Sequence, residues 1–353
     1  MSNAVLSIKH DHSASELNAL LKADDCPVRF IHVDHGADNI GVQTNLVKLA
    51  RTSDEVRELI ATLTNNGFYS YVSQANATRF VSEKSLDKLW LKLVSKEFVR
   101  HSNGVVYSFT PAARSDSARR LLVVFSSISG NINTPSLMRY FEQNYKSVQK
   151  FLPPDTAILR IADLGGVVGA FYMNTTHLPR NADNIQQVIQ DVSREHGIAH
   201  DSVVLYGASK GGTGALFHAI KGHYRCVAVD PIVDDEHYII RYNDAHFTGN
   251  NIFPEPKKDV FNRIMLEMSL LPEPPKSAPV RWSVICSGNS PQYKYISRTL
   301  IENANSRISF YDSRNPSIKD HPQVGQNTVN TATALMNFHL YSLPVAAGLY
   351  TID

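Results

Sequence analysis

The sequence has few cysteines, no long apolar run and almost no net charge, and each absence excludes a class of protein. Its three cysteines, Cys26, Cys226 and Cys286, lie far apart along 353 residues. That spacing does not form a disulfide framework and favours a reducing compartment. No apolar run approaches the roughly 18–20 residues that span a bilayer, and the first residues lack the pattern of a signal peptide. We therefore expect a cytoplasmic protein without a membrane span.

The charge pattern excludes two further classes. The formal net charge is +2, which gives no strong field for nucleic acid or for an anionic membrane surface. We find no basic stripe interleaved with aromatic residues, so nucleic acid is not an expected partner. His10-Asp11-His12 and His32-Val33-Asp34-His35 contain metal-ligand types, but neither has the helical H-E-x-x-H spacing. We expect no metal site.

The chain has two regions of different pattern. Residues 1–115 mix strand-like and helix-like segments and predict a smaller α+β region of unassigned role. Residues 116–353 alternate short apolar strands with helices, which predicts an α/β domain with a mostly parallel sheet covered by helices on both faces. The predicted strands are 27–33 and 104–110 in the first region, then 121–127, 157–163, 202–207, 226–230, 281–288 and 307–312. The predicted helices are 52–66, 82–96, 135–150, 182–196, 212–221 and 293–305. An aromatic and then proline-rich insert around 234–279 interrupts the alternation and is typical of a lid.

A glycine-rich turn lies between the strand 202–207 and the next helix. It reads Gly207-Ala208-Ser209-Lys210-Gly211, a G-x-S-x-G motif placed after a strand and before a helix. In that context the serine occupies a strained turn that exposes its Oγ, and glycines two positions away relieve collisions. The Lys210 amide then lies at a helix N-terminus and can donate to an oxyanion. A phosphate loop is disfavoured because no lysine follows the glycine pair. A dinucleotide-binding fingerprint is disfavoured because no third glycine completes it. The remaining alternative is a tight turn with an inert serine.

The partners of a nucleophilic serine follow it in the order acid, then histidine. His321 lies just after the last predicted strand, so we expect it to be the general base. The turn after the penultimate strand holds Asn289 and Ser290 but no carboxylate. We therefore expect Asp230, at the end of the strand after the elbow helix, to be the acid; alternatively, Asp230 only caps its loop. The reserve acids are Asp235 and Asp234.

A second oxyanion donor is expected in the loop after the strand 121–127. The amides of Ser127 or Ile128 are the natural donors there. Gly130 in the same loop lets the backbone approach closely.

The second region resembles the α/β-hydrolase superfamily. The elbow, "GASKGGTGALF", is similar to those of bacterial capsular-polysaccharide O-acetyltransferases, of the hydrolase-like component of the accessory secretion system, and of the XcbB/CpsF capsule-biosynthesis group. The resemblance implies acyl transfer through an acyl-serine, with Ser209 as nucleophile, His321 as base and the Lys210 amide in the oxyanion hole. The chain departs from these acetyltransferases at the acid, since they keep an aspartate where it has Asn289 and Ser290.

Three functions stay open at this point. The first is O-acetylation of a surface polysaccharide or its precursor, with acetyl-CoA as the acyl donor and no tightly bound cofactor. The second is a serine esterase or thioesterase acting on a small acyl ester, which shares the acyl-enzyme and differs only in the acceptor. The third is a non-catalytic, hydrolase-like component of capsule biosynthesis or secretion machinery. Partners beyond the substrate are expected to be a second copy of the chain or a capsule-assembly complex.

Overall fold

A small mixed sheet forms the first part of the computed structural model, which describes residues 4–36, 44–114, 117–130, 132–275, 277–304 and 306–353. The strand order is β1-β2-β4-β3; β1 runs parallel to β2, and the other pairs are antiparallel. The strands are β1 (Val5–Lys9), β2 (Phe30–Asp34), β3 (Phe68–Gln74) and β4 (Ala77–Ser82). The helices are α1 (Ala14–Leu21), α2 (Leu46–Leu49) and α3 (Asp54–Asn65), followed by a 3₁₀ turn (Glu83–Ser85), α4 (Leu86–Leu89) and α5 (Leu91–Val94).

Two sequence predictions in this region differ from the structure. Helix α3 begins at Asp54, two residues later than predicted, and is capped by the Ser53 side chain, which accepts from the Val56 amide. The single helix predicted over 82–96 is broken because Trp90 has extended backbone with ψ 106. Its ring is buried and packs edge-on against the Phe98 ring, with 5.2 Å between the two ring centroids. Packing of one large side chain thus overrides the helical pattern there.

A large, mostly parallel sheet forms the second part and confirms the predicted α/β fold class. Among the described residues its order is β13-β12-β11-β10-β9-β7-β8-β6-β5. All neighbours from β8 to β13 are parallel, while β6 pairs antiparallel with β8, and β5 with β6. The strands are β5 (Val99–Arg100), β6 (Val106–Thr110), β7 (Arg120–Phe125), β8 (Thr156–Ile161), β9 (Val203–Ala208), β10 (Arg225–Val229), β11 (Trp282–Cys286), β12 (Ile308–Ser313) and β13 (Gly348–Ile352).

The sheet is larger than the sequence indicates at both edges. Strand β6, which we placed within residues 1–115, joins the large sheet through β8. Strand β13 adds a parallel strand beyond β12, so the predicted last strand is not the last. The strand order reverses between β7 and β9, and such a reversal is where open α/β sheets bind ligands.

Helices cover both faces of this sheet, because alternate residues of each strand point to opposite sides. On one face Leu121, Val123 and Phe125 pack against the helices α6, α7 and α9. On the other face Leu122 and Val124 pack with α12 and α13. These helices are α6 (Asn181–Glu195), α7 (Lys210–Gly222), α8 (Glu236–Tyr242), α9 (Lys257–Ser269), α10 (Tyr293–Ile296), α11 (Glu302–Ala304), α12 (His321–Asn327) and α13 (Val329–Leu340). None of the described helices has the length and apolar character needed to cross a membrane.

The helix predicted over 135–150 does not form. The segment contains 3₁₀ turns at Leu137–Tyr140 and from Val148 onward, where the turn ends at Phe151. Between the turns, the Arg160 guanidinium binds the carbonyl oxygens of Asn144 and Tyr145 at 2.8 and 3.2 Å. Since these carbonyls accept from a side chain of β8, the backbone between the two turns is held outside a helical conformation.

The two parts of the chain share one apolar cluster. Buried residues of α3, including Leu59 and Ile60, pack together with Phe171 from the loop after β8 and Phe247 from the insert. The N-terminal region therefore rests on the loops at the carboxyl ends of the large sheet.

A buried histidine of α7 connects α6, α7 and the loop after β8. His218 is fully buried; its Nε2 donates to the Tyr172 carbonyl at 2.8 Å, and its Nδ1 accepts from the Gln186 amide at 2.9 Å. Burial lowers the pKa of His218 to about 4. The imidazole is therefore neutral in the folded protein at neutral pH.

The free energy of unfolding should fall by about 3 kcal/mol from His218 alone between about pH 7 and about pH 4. The unfolded chain takes up the proton near the ordinary pKa of 6.5, whereas the folded chain resists it until about 4, so acid favours unfolding in that window. Urea denaturation at both pH values measures the loss. His218→Gln should show a smaller loss than the wild type, while His223→Gln, at the exposed end of α7, should keep it. Equal losses in His218→Gln and the wild type would contradict this assignment.

Candidate active site

Ser209 lies at the junction of β9 and α7 in a conformation that non-glycine residues rarely adopt. Its φ is 57 and its ψ is −123, which indicates local strain. A Cβ at Gly207 would collide with the Gly211 carbonyl, and a Cβ at Gly211 would collide with the Phe125 carbonyl. The glycine spacing is therefore required by the backbone of the turn and of β7. This is the geometry of a nucleophile elbow.

Three of the residues singled out in the sequence meet at this turn. The Ser209 Oγ lies 2.7 Å from His321 Nε2, and His321 Nδ1 lies 2.7 Å from Asp230 Oδ2. The side chains of His321 and Asp230 are only 9% and 2% exposed. His321 is the first residue of α12. Asp320 caps that helix by accepting from the His321 amide, and this hydrogen bond fixes the backbone position of His321.

Asp230 is held at the end of β10 by two contacts. Its amide donates to the Ile285 carbonyl at 2.7 Å, and its φ is 44. Its Oδ2 also accepts from the Ser290 hydroxyl at 2.5 Å. Ser290 lies in the turn after β11, the turn where we found no carboxylate in the sequence. That turn therefore supplies a hydroxyl to the acid of the neighbouring strand.

The reserve acids are engaged elsewhere and do not contact His321. Asp234 accepts from the Glu236 amide at 2.9 Å and pairs with Arg298 at 3.1 Å. Asp235 binds His246 Nδ1 at 2.7 Å and Lys257 Nζ at 2.6 Å. The structure therefore leaves Asp230 as the carboxylate beside His321.

The Asp235 network is buried within the insert. Burial favours the neutral acid, but the charge of Lys257 and the hydrogen bond from His246 outweigh it and lower the pKa of Asp235 to about 2. The Lys257 ammonium lies 3.6 Å from the ring centroid of Phe171. Burial lowers the pKa of His246. The network joins residues of the insert to one another and to Phe171. No sequence motif predicts the pairing of His246 or Lys257 with Asp235.

Tyr238 connects this network to the candidate triad. Its ring centroid lies 3.7 Å from that of His246 and 6.4 Å from that of His321. Burial and the nearby carboxylates Asp230 and Asp235 raise the pKa of Tyr238, so it stays a neutral phenol. Tyr238 thus forms an aromatic wall beside the imidazole.

The structure distinguishes between the expected oxyanion donors. The Lys210 amide is in the first turn of α7, where it has no acceptor within the helix. The Ser127 amide donates to the Asn144 side chain at 2.7 Å, so it is not free for an oxyanion, contrary to our expectation. Its hydroxyl donates to the Ala208 carbonyl at 2.9 Å and attaches this loop to the elbow. None of the hydrogen bonds among the described residues uses the Ile128 amide, which leaves Lys210 and Ile128 as the candidate donors.

The Lys210 side chain forms a completely buried ion pair. Its Nζ lies 2.9 Å from Asp163 Oδ2, and both side chains are 0% exposed. Asp163 also accepts from the amides of Phe171 and Tyr172 at 3.0 and 2.8 Å. The Tyr172 hydroxyl then accepts from the Ser126 amide at 2.5 Å and donates to the Ser126 carbonyl at 3.2 Å. One ion pair thus connects the elbow helix to the loop that carries the second candidate donor.

The histidine-rich segments do not form a metal centre in the described structure. Within the described ranges, no group of three or more histidine, cysteine, aspartate or glutamate side chains is arranged to hold an ion. His32 lies in β2 opposite Arg79 of β4. Partial burial, followed by the charge of Arg79, lowers the pKa of His32.

The sheet order, the elbow and the placement of its three side chains define a fold of the α/β-hydrolase type. No family model matches the chain, and no curated protein does. Solved structures match at low identity. A substrate-bound, fluorophosphonate-binding serine hydrolase of Staphylococcus aureus is 14% identical over 68% of this chain and 96% of its own, with a TM-score of 0.45.

Two further solved structures are similar to a comparable degree. The capsule O-acetyltransferase of Neisseria meningitidis serogroup A is 15% identical over 67% of this chain and 93% of its own, with a TM-score of 0.45. The glycosylation-associated Gap123 complex of Streptococcus agalactiae is 13% identical over 74% of this chain and 50% of that chain, with a TM-score of 0.43. Identities of this size are too low to transfer an activity or a substrate from those proteins to this chain.

Removing one partner of the Lys210–Asp163 pair should lower the free energy of unfolding by about 3–5 kcal/mol, because the other charge stays buried without compensation. Urea denaturation of Lys210→Met and of Asp163→Asn measures this loss. The double variant Lys210→Met with Asp163→Leu should lose less than either single variant, since it buries no charge. As a control, Arg263→Met breaks an exposed pair with Glu255 and should cost less than about 1 kcal/mol. Single-variant losses as small as the control would contradict the assignment.

Proposed function

We propose that the protein is a serine-dependent acyl-transfer enzyme of the α/β-hydrolase type. The observation that carries this proposal is the continuous hydrogen-bond chain Ser209–His321–Asp230, with both links at 2.7 Å. It starts at a strained elbow and lies at the carboxyl ends of parallel strands, where this architecture performs chemistry. An inert serine in a tight turn would require neither an imidazole nor a buried carboxylate behind it.

The proposed mechanism has two steps, the acylation of Ser209 and the transfer of the acyl group to an acceptor. His321 Nε2 takes the proton of Ser209 Oγ as the oxygen attacks the carbonyl carbon of an ester or thioester, and Asp230 stabilises the resulting imidazolium. The amides of Lys210 and Ile128 donate to the oxyanion. His321 then protonates the leaving group, which departs and leaves an acyl-Ser209. In the second step His321 takes a proton from the acceptor hydroxyl, the acceptor attacks the acyl group, and Ser209 regains its proton.

For the acceptor, we propose the hydroxyl of a glycan or glycan precursor, with acetyl-CoA as the acyl donor. The elbow sequence supports this through its resemblance to capsular O-acetyltransferases. Tyr238, whose ring lies 6.4 Å from His321, supports it as well, because an aromatic wall both suits a sugar ring and limits access of water to the acyl group. Hydrolysis to water is the alternative and uses the same acyl-enzyme.

A fluorophosphonate probe should form one adduct with the wild-type chain, because the probe reacts with a hydroxyl that has an adjacent base. Intact-mass measurement before and after incubation detects the adduct. Ser209→Ala should form none, whereas Ser269→Ala, which removes an exposed hydroxyl of α9, should label like the wild type.

The absence of an adduct on folded wild-type protein, or an adduct that persists in Ser209→Ala, would contradict the proposed nucleophile. If labelling succeeds, incubation with acetyl-CoA and a glycan acceptor separates the two acceptors. An acetylated glycan indicates transfer, and free acetate alone indicates hydrolysis.

Asp230→Asn should lower kcat for p-nitrophenyl acetate by about 10³–10⁴-fold, because an amide cannot hold the imidazole in the required tautomer. Asp235 cannot replace it, since Lys257 and His246 bind both of its oxygens. Ser290→Ala removes one hydrogen bond to the same carboxylate and should cost about tenfold or less. Steady-state kinetics measures both values. Full activity of Asp230→Asn would exclude Asp230 as the acid.

A further inference from the structure

Three arginines lie close together where the N-terminal region meets the insert. We call Arg51, Arg57 and Arg139 the arginine cluster. The guanidinium carbons of Arg51 and Arg57 lie 4.5 and 5.0 Å from the ring centroid of Phe247. Burial, together with the smaller effect of the positive charge of Arg57, lowers the pKa of Arg51 to about 10. Arg139 has a still smaller effect in the same direction, whereas Asp244 raises the pKa. The cluster therefore concentrates positive charge in a partly dry site.

The cluster has more donors than the protein satisfies. Arg139 is only 3% exposed, and its Nη2 donates to the Ser70 hydroxyl at 2.7 Å and to the Tyr140 hydroxyl at 3.3 Å. Its Nε and Nη1 are buried without an acceptor among the described residues. A guanidinium cannot lose its charge at neutral pH, and a buried donor without a partner is unfavourable. Arg139 thus lacks an acceptor that a ligand can supply.

The cluster also has fewer carboxylates than guanidiniums. Among the ion pairs of the described residues, Asp244 is its partner, at 3.4 Å from Arg57. The Asp244 oxygens already accept from the amide and hydroxyl of Thr248 and from the Gly249 amide. The carboxylate that pairs with Arg57 therefore also holds its own loop.

Arg51 joins the cluster to two segments that border the candidate active site, the loop after β7 and the insert. Its Nε donates to the Asn133 side chain at 3.1 Å, in the loop after β7 that contains the candidate donor Ile128. Its Nη1 donates to the Ala245 carbonyl at 2.7 Å. The next residue along the chain, His246, packs on Tyr238, the aromatic wall beside His321. Arg51 is half-buried and so remains accessible, whereas Arg139 lies deeper.

We propose that the arginine cluster binds an anionic group of the substrate, a phosphate or a carboxylate. Arg51 is the accessible contact, and Arg139 supplies charge and unused donors behind it. Planar guanidinium groups bind the paired oxygens of either anion by charge-assisted hydrogen bonds. This inference rests on the proposed function and deepens it: the acyl donor or acceptor that reacts at Ser209 is negatively charged. The aromatic wall and the cluster would then fix the two ends of one substrate.

Isothermal titration calorimetry of the full chain with inorganic pyrophosphate, and separately with succinate, tests the proposal at constant ionic strength. We expect the wild type to bind one of the two anions. Arg51→Gln should weaken binding about tenfold or more, and Arg51→Lys, which keeps the charge but not the planar fork, should be intermediate. Arg263→Gln, a change at an exposed arginine outside the cluster, should bind like the wild type. Binding of pyrophosphate indicates a phosphate-bearing substrate, and binding of succinate a carboxylate-bearing one.

Two outcomes would overturn the proposal: neither anion binds the wild type, or Arg51→Gln, folded by circular dichroism, binds as tightly as the wild type. Ser209→Ala separates this inference from the proposed function, because that variant keeps the cluster. If Ser209→Ala and the wild type bind the anion equally but the wild type does not react with the fluorophosphonate probe, the anion site stands and the acyl-transfer proposal fails.

Discussion

The buried ion pair between Lys210 and Asp163 is the constraint on which the candidate active site depends. Burying either charge without its partner would be strongly destabilising. A buried lysine in the elbow therefore requires a carboxylate in contact with it. The carboxylate in turn binds the amide of Tyr172, and the Tyr172 hydroxyl holds the backbone of Ser126. Segments that follow three different strands are thereby fixed relative to one another. The segments that carry the candidate donors, Lys210 and Ile128, are thus held by an ion pair whose side chains are fully buried.

Local signals were enough to predict the fold class and the elbow, because apolar runs and glycine spacing are properties of short segments. They failed where distant contacts decide the conformation. The segment 135–150 does not coil, since Arg160 holds its carbonyls, and Trp90 breaks a helix to reach Phe98. Strands β1 and β13 escaped prediction because they are edge strands with mostly exposed side chains, which weakens the apolar pattern. The Ser127 amide likewise donates to the Asn144 side chain, a tertiary hydrogen bond that no sequence motif predicts.

The position of Asp230 shows how neighbouring strands of a parallel sheet can bring a carboxylate to the same point. The carboxyl ends of adjacent parallel strands lie at the same edge of the sheet. A carboxylate at the end of β10 therefore lies next to the turn after β11, and from there it contacts the His321 imidazole. Ser290, in that second position, donates to Asp230 and holds it in place. The geometry at His321 therefore depends on where strands end, not on which strand carries the acid. Sequence order alone could not have shown that Ser290 and Asp230 are in contact.

The apolar cluster shared by α3, Phe171 and Phe247 has a consequence for motion. The insert that walls the candidate site cannot swing away from the sheet unless α3 follows it or its apolar face becomes exposed to water. The N-terminal region and the insert are thus coupled by the apolar side chains that they bury together.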